Sequence, residues 1–187
     1  MPRSFIALPL SKTVRQSLLE IIDEVSSICR NAKWVELNNL HITLRFLGNI
    51  DVEMVGSISE IITNVSSQFA PFPIEIEGFG AFPHPKRARI IWAGITRGFE
   101  EIAELERKVS DELERAGIDR DKRDYHPHIT LGRIRYPKSN IALTKKIEES
   151  SGRVIGDDTI SKMILMESTL TGKGPIYTPI HIAEFGG

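Results

Sequence analysis

At 187 residues the chain is long enough for one substantial domain or for two small lobes sharing a core. A hydrophobic fraction of 41% and a charged fraction of 26% exclude disordered and fibrous classes. With 24 basic against 25 acidic residues the formal charge is −1, so no global basic field recruits long nucleic acid and any anion site is local.

FIALPL (5–10) reads as a strand. Ser11 then caps a helix to about Arg30, with Val14, Leu18, Ile21, Ile22, Val25 and Ile28 at helical spacing. Cys29, the only cysteine, falls in this run and reads as a small core residue with no disulfide partner. WVEL is a short extended piece and NLHITLRFLG a longer strand. Asp51 caps a second helix, with Val52, Val55, Ile58, Ile61, Ile62 and Val65 along one stripe. PFPIEIEGFGAF alternates as a half-buried strand, FPHPKRA turns the chain, and RIIWAGI returns, so 72–95 is a long hairpin.

The second half repeats this order. A helix from Phe99 to Ala116 turns Ile102, Leu105, Val109 and Leu113 inward and stops at Gly117. YHPHITLGRI is a strand, IALTKKIEES a helix, and RVIGDDTISKMILMEST a strand kinked at Gly156. TGKGP turns the chain into a final strand, IYTPIHIAEF. No Ser- or Gly-rich linker separates the halves, which suggests two closely packed lobes. The order reads as α+β, with antiparallel sheets covered by helices on their outer faces. No apolar run reaches membrane-spanning length, and MPRSFIALPLSK is too short in apolar residues for a signal peptide. The expected compartment is cytoplasmic and reducing.

One tetrapeptide occurs twice: His-Ile-Thr-Leu at His41–Leu44 and again at His128–Leu131. On a strand, residues two apart share a face, so His41 and Thr43 point one way while Ile42, Leu44 and Phe46 point into the core. His128 and Thr130 pair in the same manner against Ile129 and Leu131. If the echo reflects structural pseudo-symmetry, two imidazoles and two hydroxyls converge across a cleft. That set suits phosphodiester chemistry, one histidine taking a proton from the attacking group and the other giving one to the leaving oxygen. Imidazole populates both forms near neutral pH, and the hydroxyls can donate to non-bridging phosphate oxygens. His-x-Thr supplies no second strong metal ligand, so neither a metal nor another cofactor is expected. Spacing does not tell acid from base.

HITLRFLG and YHPHITLGRI together resemble the paired His-x-Thr-x motifs of the two-histidine phosphoesterases. The closest likeness is to the LigT-like RNA 2′,3′-cyclic phosphodiesterases, historically called 2′-5′ RNA ligases. The resemblance extends through FIALPL and GFGAFPHPKRARIIWAGI to nearly the whole chain. It implies a single bilobal α+β domain over 1–187. Its two similar lobes, each an antiparallel sheet with outer helices, are related by a pseudo-twofold around a central cleft. They exchange chain segments and carry one motif each. It also implies metal-independent opening of a 2′,3′-cyclic phosphate to a 2′-phosphate, on RNA ends or oligonucleotides. At matching positions His41 is implied as the acid protonating the 3′ oxygen, His128 as the base activating water, and Thr43 and Thr130 as phosphate holders. Asn49 stands where the family commonly shows an acid, and His126 where Arg or Lys is expected.

Arg45 shares strand parity with His41 and is a candidate for phosphate or RNA backbone. Arg133, which the resemblance marks as a phosphate partner, falls by strict alternation on the face opposite His128. A bulge at Gly132 would turn it back. By parity Phe46 packs in the core, while His126 shares the face of His128 and either touches substrate or sits at the cleft rim; Tyr125 is a candidate for base stacking. Lys86, Arg87 and Arg89 lie at a turn, where charges are usually solvated. His84 and His181 match no motif and read as structural or solvent-facing. A monomer without membrane attachment is expected. The competing readings are a 2′-5′ ligase or phosphodiesterase, a small cyclic-nucleotide phosphodiesterase, and a module that grips RNA ends without turning them over.

Overall fold

The computed structural model describes residues 3–172 and 174–187. Lys173 of the expected TGKGP turn lies outside the described residues, as do Met1 and Pro2 of the N-terminal stretch. In chain order the described elements are β1 (Arg3–Pro9), α1 (Lys12–Ser26), β2 (Ala32–Trp34), β3 (His41–Asn49), α2 (Val52–Ser66), β4 (Phe72–Phe82) and β5 (Ile90–Ile95). They continue with α3 (Phe99–Arg115), β6 (Ile129–Ile134), α4 (Ile141–Glu149), β7 (Val154–Ile160), β8 (Lys162–Leu170) and β9 (Pro175–Glu184).

Local signals account for the helices. The Ser11 hydroxyl accepts from the Val14 N–H at 3.3 Å and starts α1, whose buried stripe is Val14, Leu18, Ile21, Ile22 and Val25. The helix stops at Ser26, short of the expected Arg30. The Ser26 and Ser27 hydroxyls bond back to the carbonyls of Asp23 and Glu24 and compete with the helical ladder. Asp51 stands at the N-cap of α2 without a side-chain bond, and Val52, expected on the buried stripe, is exposed in the first turn. In α3 the stripe Ile102, Leu105, Val109 and Leu113 is buried as spaced. Gly117 follows at φ +86°, a conformation only glycine adopts at little cost. No helix among the described residues is long and apolar enough to cross a membrane.

The strands form one antiparallel sheet, in the order β7-β4-β5-β6-β3-β1-β8-β9, with β2 pairing on β6. β3 and β6 join in the middle through the pair Ile42–Ile129, both fully buried. The helices cover the sheet, α2 and α3 over β3, β8 and β9, and α1 and α4 over β2, β4, β6 and β7. One hydrophobic cluster runs through both ends of the molecule. The run 153–169, expected as a strand kinked at Gly156, falls in two strands divided at Ser161. Alternation continues across the break, but β7 finds its partner in β4 and β8 in β1 and β9, at opposite ends of the sheet.

Both motif strands carry a β-bulge at the same place. Ala7 pairs with Thr43 but Ile6 with Arg45, leaving Leu44 extra. Trp92 pairs with Thr130 but Ile91 with Gly132, leaving Leu131 extra. An extra residue reverses which face the subsequent side chains take. After the bulge in β6, Gly132 lies under Trp34 of β2, and an added Cβ would come within 2.7 Å of the Trp34 ring. Gly132→Ala should therefore push the indole aside and cost about 1–3 kcal/mol. A denaturant midpoint unchanged from wild type would show that this contact carries no weight.

Candidate active site

Continued by one residue each way, the Ile42–Ile129 register faces His41 with Thr130 and Thr43 with His128. The isoleucines point into the core, so these four side chains point together to the other face. In both imidazoles Nδ1 lies 2.7 Å from a backbone oxygen two residues earlier, Asn39 for His41 and His126 for His128. A carbonyl can only accept, so Nδ1 carries the proton and Nε2 is left for chemistry. The Thr43 hydroxyl lies 2.9 Å from His41 Nε2. His41 is packed against Phe5 at 5.0 Å and meets Tyr177 edge-on at 5.4 Å. His128 stands edge-on to Phe82 at 5.2 Å and near Trp92 at 6.4 Å.

A cleft of about 530 Å³ opens over this junction. Its lining includes His41, Thr43, Thr130, Arg133, Phe46 and Tyr177, and no carboxylate or thiol among the described residues. His128 borders it rather than lining it. Burial lowers both histidines from the usual imidazole value, while the backbone carbonyl on each Nδ1 partly offsets this. Positive charge adds to the lowering, from His128 at His41 and from His126 and Arg133 at His128.

The bulges decide the arginines. Arg133 is returned to the cleft face, though the extra residue is Leu131, next to the expected Gly132. In β3 the same device works against the expectation. Arg45 is turned to the back of the sheet, 6% exposed, with its guanidinium donating to the Asp119 carbonyl, and it does not line the cleft. Phe46, expected in the core, is turned into the cleft and is 60% exposed. Tyr125, expected as a stacking surface, instead packs against the core, and its hydroxyl donates to the Thr43 carbonyl at 3.0 Å. His126 is exposed beside Phe99 and Trp92. Lys86 and Arg87 sit on a 3-10 turn capped by His84, and His181 bonds Thr63; none of them reaches the cleft. Sequence reasoning missed Phe5, Tyr177, Arg3 and Arg123. Only alignment of the two motifs exposes Phe46, because it and Arg133 each stand five residues after their histidine.

The LigT like Phosphoesterase family model matches residues 8–92 and 95–177. The chain is 35% identical over 182 residues to a protein of Archaeoglobus fulgidus named RNA 2′,3′-cyclic phosphodiesterase, covering 97% of this chain and 99% of that protein. A protein of the same name from Methanothermobacter thermautotrophicus is 33% identical over 180 residues, covering 96% and 97%. A crystal structure of a Thermus thermophilus protein superposes with a TM-score of 0.84 at 26% identity, covering 99% of this chain and 98% of that one.

The lowered histidines couple the site to stability. Between their depressed folded values and the ordinary 6.5, the unfolded chain binds more protons than the folded one, so stability rises with pH across that window. It is lost as pH falls below 6.5 and levels off once the folded imidazoles are protonated too. Tm should fall from pH 7.5 to pH 5.5, and His41→Gln should flatten the fall. An equal slope in wild type and variant would contradict this.

Proposed function

The chain belongs to the LigT-like phosphoesterase family, and from that premise we propose that it is an RNA 2′,3′-cyclic phosphodiesterase with His41 and His128 as its catalytic pair. The observation that carries the reading is the joint geometry of the two imidazoles. Each has Nδ1 fixed on a backbone oxygen, and both stand beside a cleft lined by arginine and, among the described residues, without carboxylates. Such a cleft holds an anion and leaves two Nε2 atoms to move protons.

In the proposed reaction the cyclic phosphate rests between Thr43 and Thr130, with Arg133 facing its non-bridging oxygens. His128, neutral, takes a proton from water as the water oxygen bonds to phosphorus. The bond from phosphorus to O3′ breaks, and protonated His41 gives its Nε2 proton to O3′. The product is a 2′-phosphomonoester with a free 3′ hydroxyl, and the two histidines have exchanged protonation states. The hydroxyls and the guanidinium act where charge shifts onto phosphate oxygens in the transition state. Phe46 and Tyr177 provide an apolar wall for the terminal nucleoside.

Two lobes support this assignment. In one, β3, β1, β8 and β9 carry His41; in the other, β6, β5, β4 and β7 carry His128, and a bulged motif strand is innermost in each. The lobes exchange segments, since α1 leaves β1 to cover the His128 side and α3 leaves β5 to cover the His41 side. We read 1–187 as one such bilobal domain. Both histidines come from the same chain, which fits a monomer, and the single buried thiol of Cys29 fits a reducing cytoplasm.

His41→Ala and His128→Ala should each lower turnover of a cyclic-ended oligonucleotide by about 10²–10⁴-fold, with EDTA leaving wild-type turnover unchanged. Phosphorus NMR of the wild-type product should show a 2′-phosphate. Full turnover by either variant would remove that histidine from the mechanism, and a 3′-phosphate product would reverse the assignment of the leaving oxygen. With one imidazole acting protonated and one neutral, kcat/KM should follow a bell in pH. Both histidines are lowered in the free enzyme, so its maximum should lie on the acid side of 6.5. A maximum at pH 8 would contradict the paired-imidazole mechanism.

A further inference from the structure

The cleft extends well past the histidine pair. It runs along β3 beyond Phe46 to Gly48, and its far end is formed by Arg3 of β1 and Ser168 of β8. Strand register places that end. Arg3 stands opposite Ser168, and Ser168 opposite Tyr177, so the three share one face in a row across neighbouring strands. Strands lie about 4.8 Å apart, which sets the Arg3 backbone roughly 10 Å from that of Tyr177. Tyr177 in turn meets the His41 ring. In the β1–β3 register Pro9 stands opposite His41, six residues from Arg3, so Arg3 does not share the reacting phosphate and lies along the cleft from it.

Its charge is also uncompensated. Arg123, another arginine of the cleft, is paired with Asp121 at 3.1 Å. Arg3 takes part in none of the ion pairs found among the described residues. Between Arg3 and the site lies Phe46, opposite Phe5 in the register, with Tyr177 against the His41 ring. Cation, apolar wall, cation is the sequence of surfaces that a phosphate, a base and a second phosphate require.

We propose that Arg3, with the Ser168 hydroxyl beside it, forms a second anion subsite that takes the phosphodiester joining the terminal nucleotide to the one before it. The inference rests on the reading of His41 and His128 as a cyclic phosphodiesterase. A cyclic phosphate end has no neighbour on its 3′ side. The one further backbone anion adjacent to it is therefore the linkage on the 5′ side of the terminal nucleoside. The subsite makes the protein an enzyme of RNA ends in preference to free nucleoside cyclic phosphates.

The test compares kcat/KM on a nucleoside 2′,3′-cyclic phosphate with that on a dinucleotide ending in the same group. The 5′ nucleotide is a deoxynucleotide, so that its linkage can also be made as an uncharged methylphosphonate. Wild type should prefer the charged dinucleotide by about tenfold, chiefly through KM. Arg3→Gln and the methylphosphonate should each bring that preference close to one, without adding to each other, and Arg3→Lys should keep most of it. Circular dichroism checks that Arg3→Gln is folded. An unchanged preference in Arg3→Gln, an equal loss on both substrates, or full preference for the methylphosphonate overturns the subsite. If wild type turns over neither substrate, the phosphodiesterase reading falls and the subsite with it; if it turns over both without preference, only the subsite falls.

Discussion

Two strands meet at a single pair of isoleucines, and the rest of the site hangs on that contact. Ile42 and Ile129 are fully buried on the helix side of the sheet. Because side chains alternate, their burial obliges His41, Thr43, His128 and Thr130 to face the other way, all four on one patch. A slip of one residue in either strand would send a histidine into the core. The hydrophobic effect, acting on two fully buried residues, thus aims the polar ones.

A second layer of control lies immediately downstream. The same extra leucine in each motif strand reverses the faces of the residues after it, and the two copies then diverge. On the cleft side the equivalents are Phe46 and Arg133, giving one apolar and one cationic shoulder. On the back they are Arg45 and Gly132. Gly132 leaves room for the Trp34 ring, while Arg45 places a buried guanidinium under the strand. A buried charge needs acceptors, and Arg45 finds one in the carbonyl of Asp119. With the Tyr125 hydroxyl on Thr43, this ties the segment preceding the second motif to the back of the first. The two histidines are held in register by such cross-ties as well as by the sheet.

How much was legible in the sequence depends on the range of the forces involved. The start of α1 and the stop of α3 rest on a neighbouring Ser11 or Gly117, and their buried stripes on a fixed period, so there reading along the chain suffices; the early stop of α1 depends on serines that compete with the helical ladder. The histidine pair was legible because its tetrapeptide occurs twice. Bulges are properties of two strands together and leave at most a glycine as their mark in one. Simple alternation therefore sent Arg45 to the cleft and Phe46 to the core, the reverse of what is found. The glycine that suggested a bulge for Arg133 had no counterpart in the first copy. The break at Ser161 was invisible for a similar reason, since each side alternates well and only the choice of partner differs.

The strand order also sets a timetable for assembly. The half built on His128 draws on β4, β5, β6 and β7, all within residues 72–160. The half built on His41 places β1 between β3 and β8, and so joins residues 3–9 to residues 162–170. During synthesis the first half can close while the second still waits for its outer strands, with β1 and β3 exposing an open edge. Tyr177, on the last strand of all, reaches His41 only then. A chain made only as far as β7 therefore carries both histidines and lacks the Tyr177 ring that stands against His41.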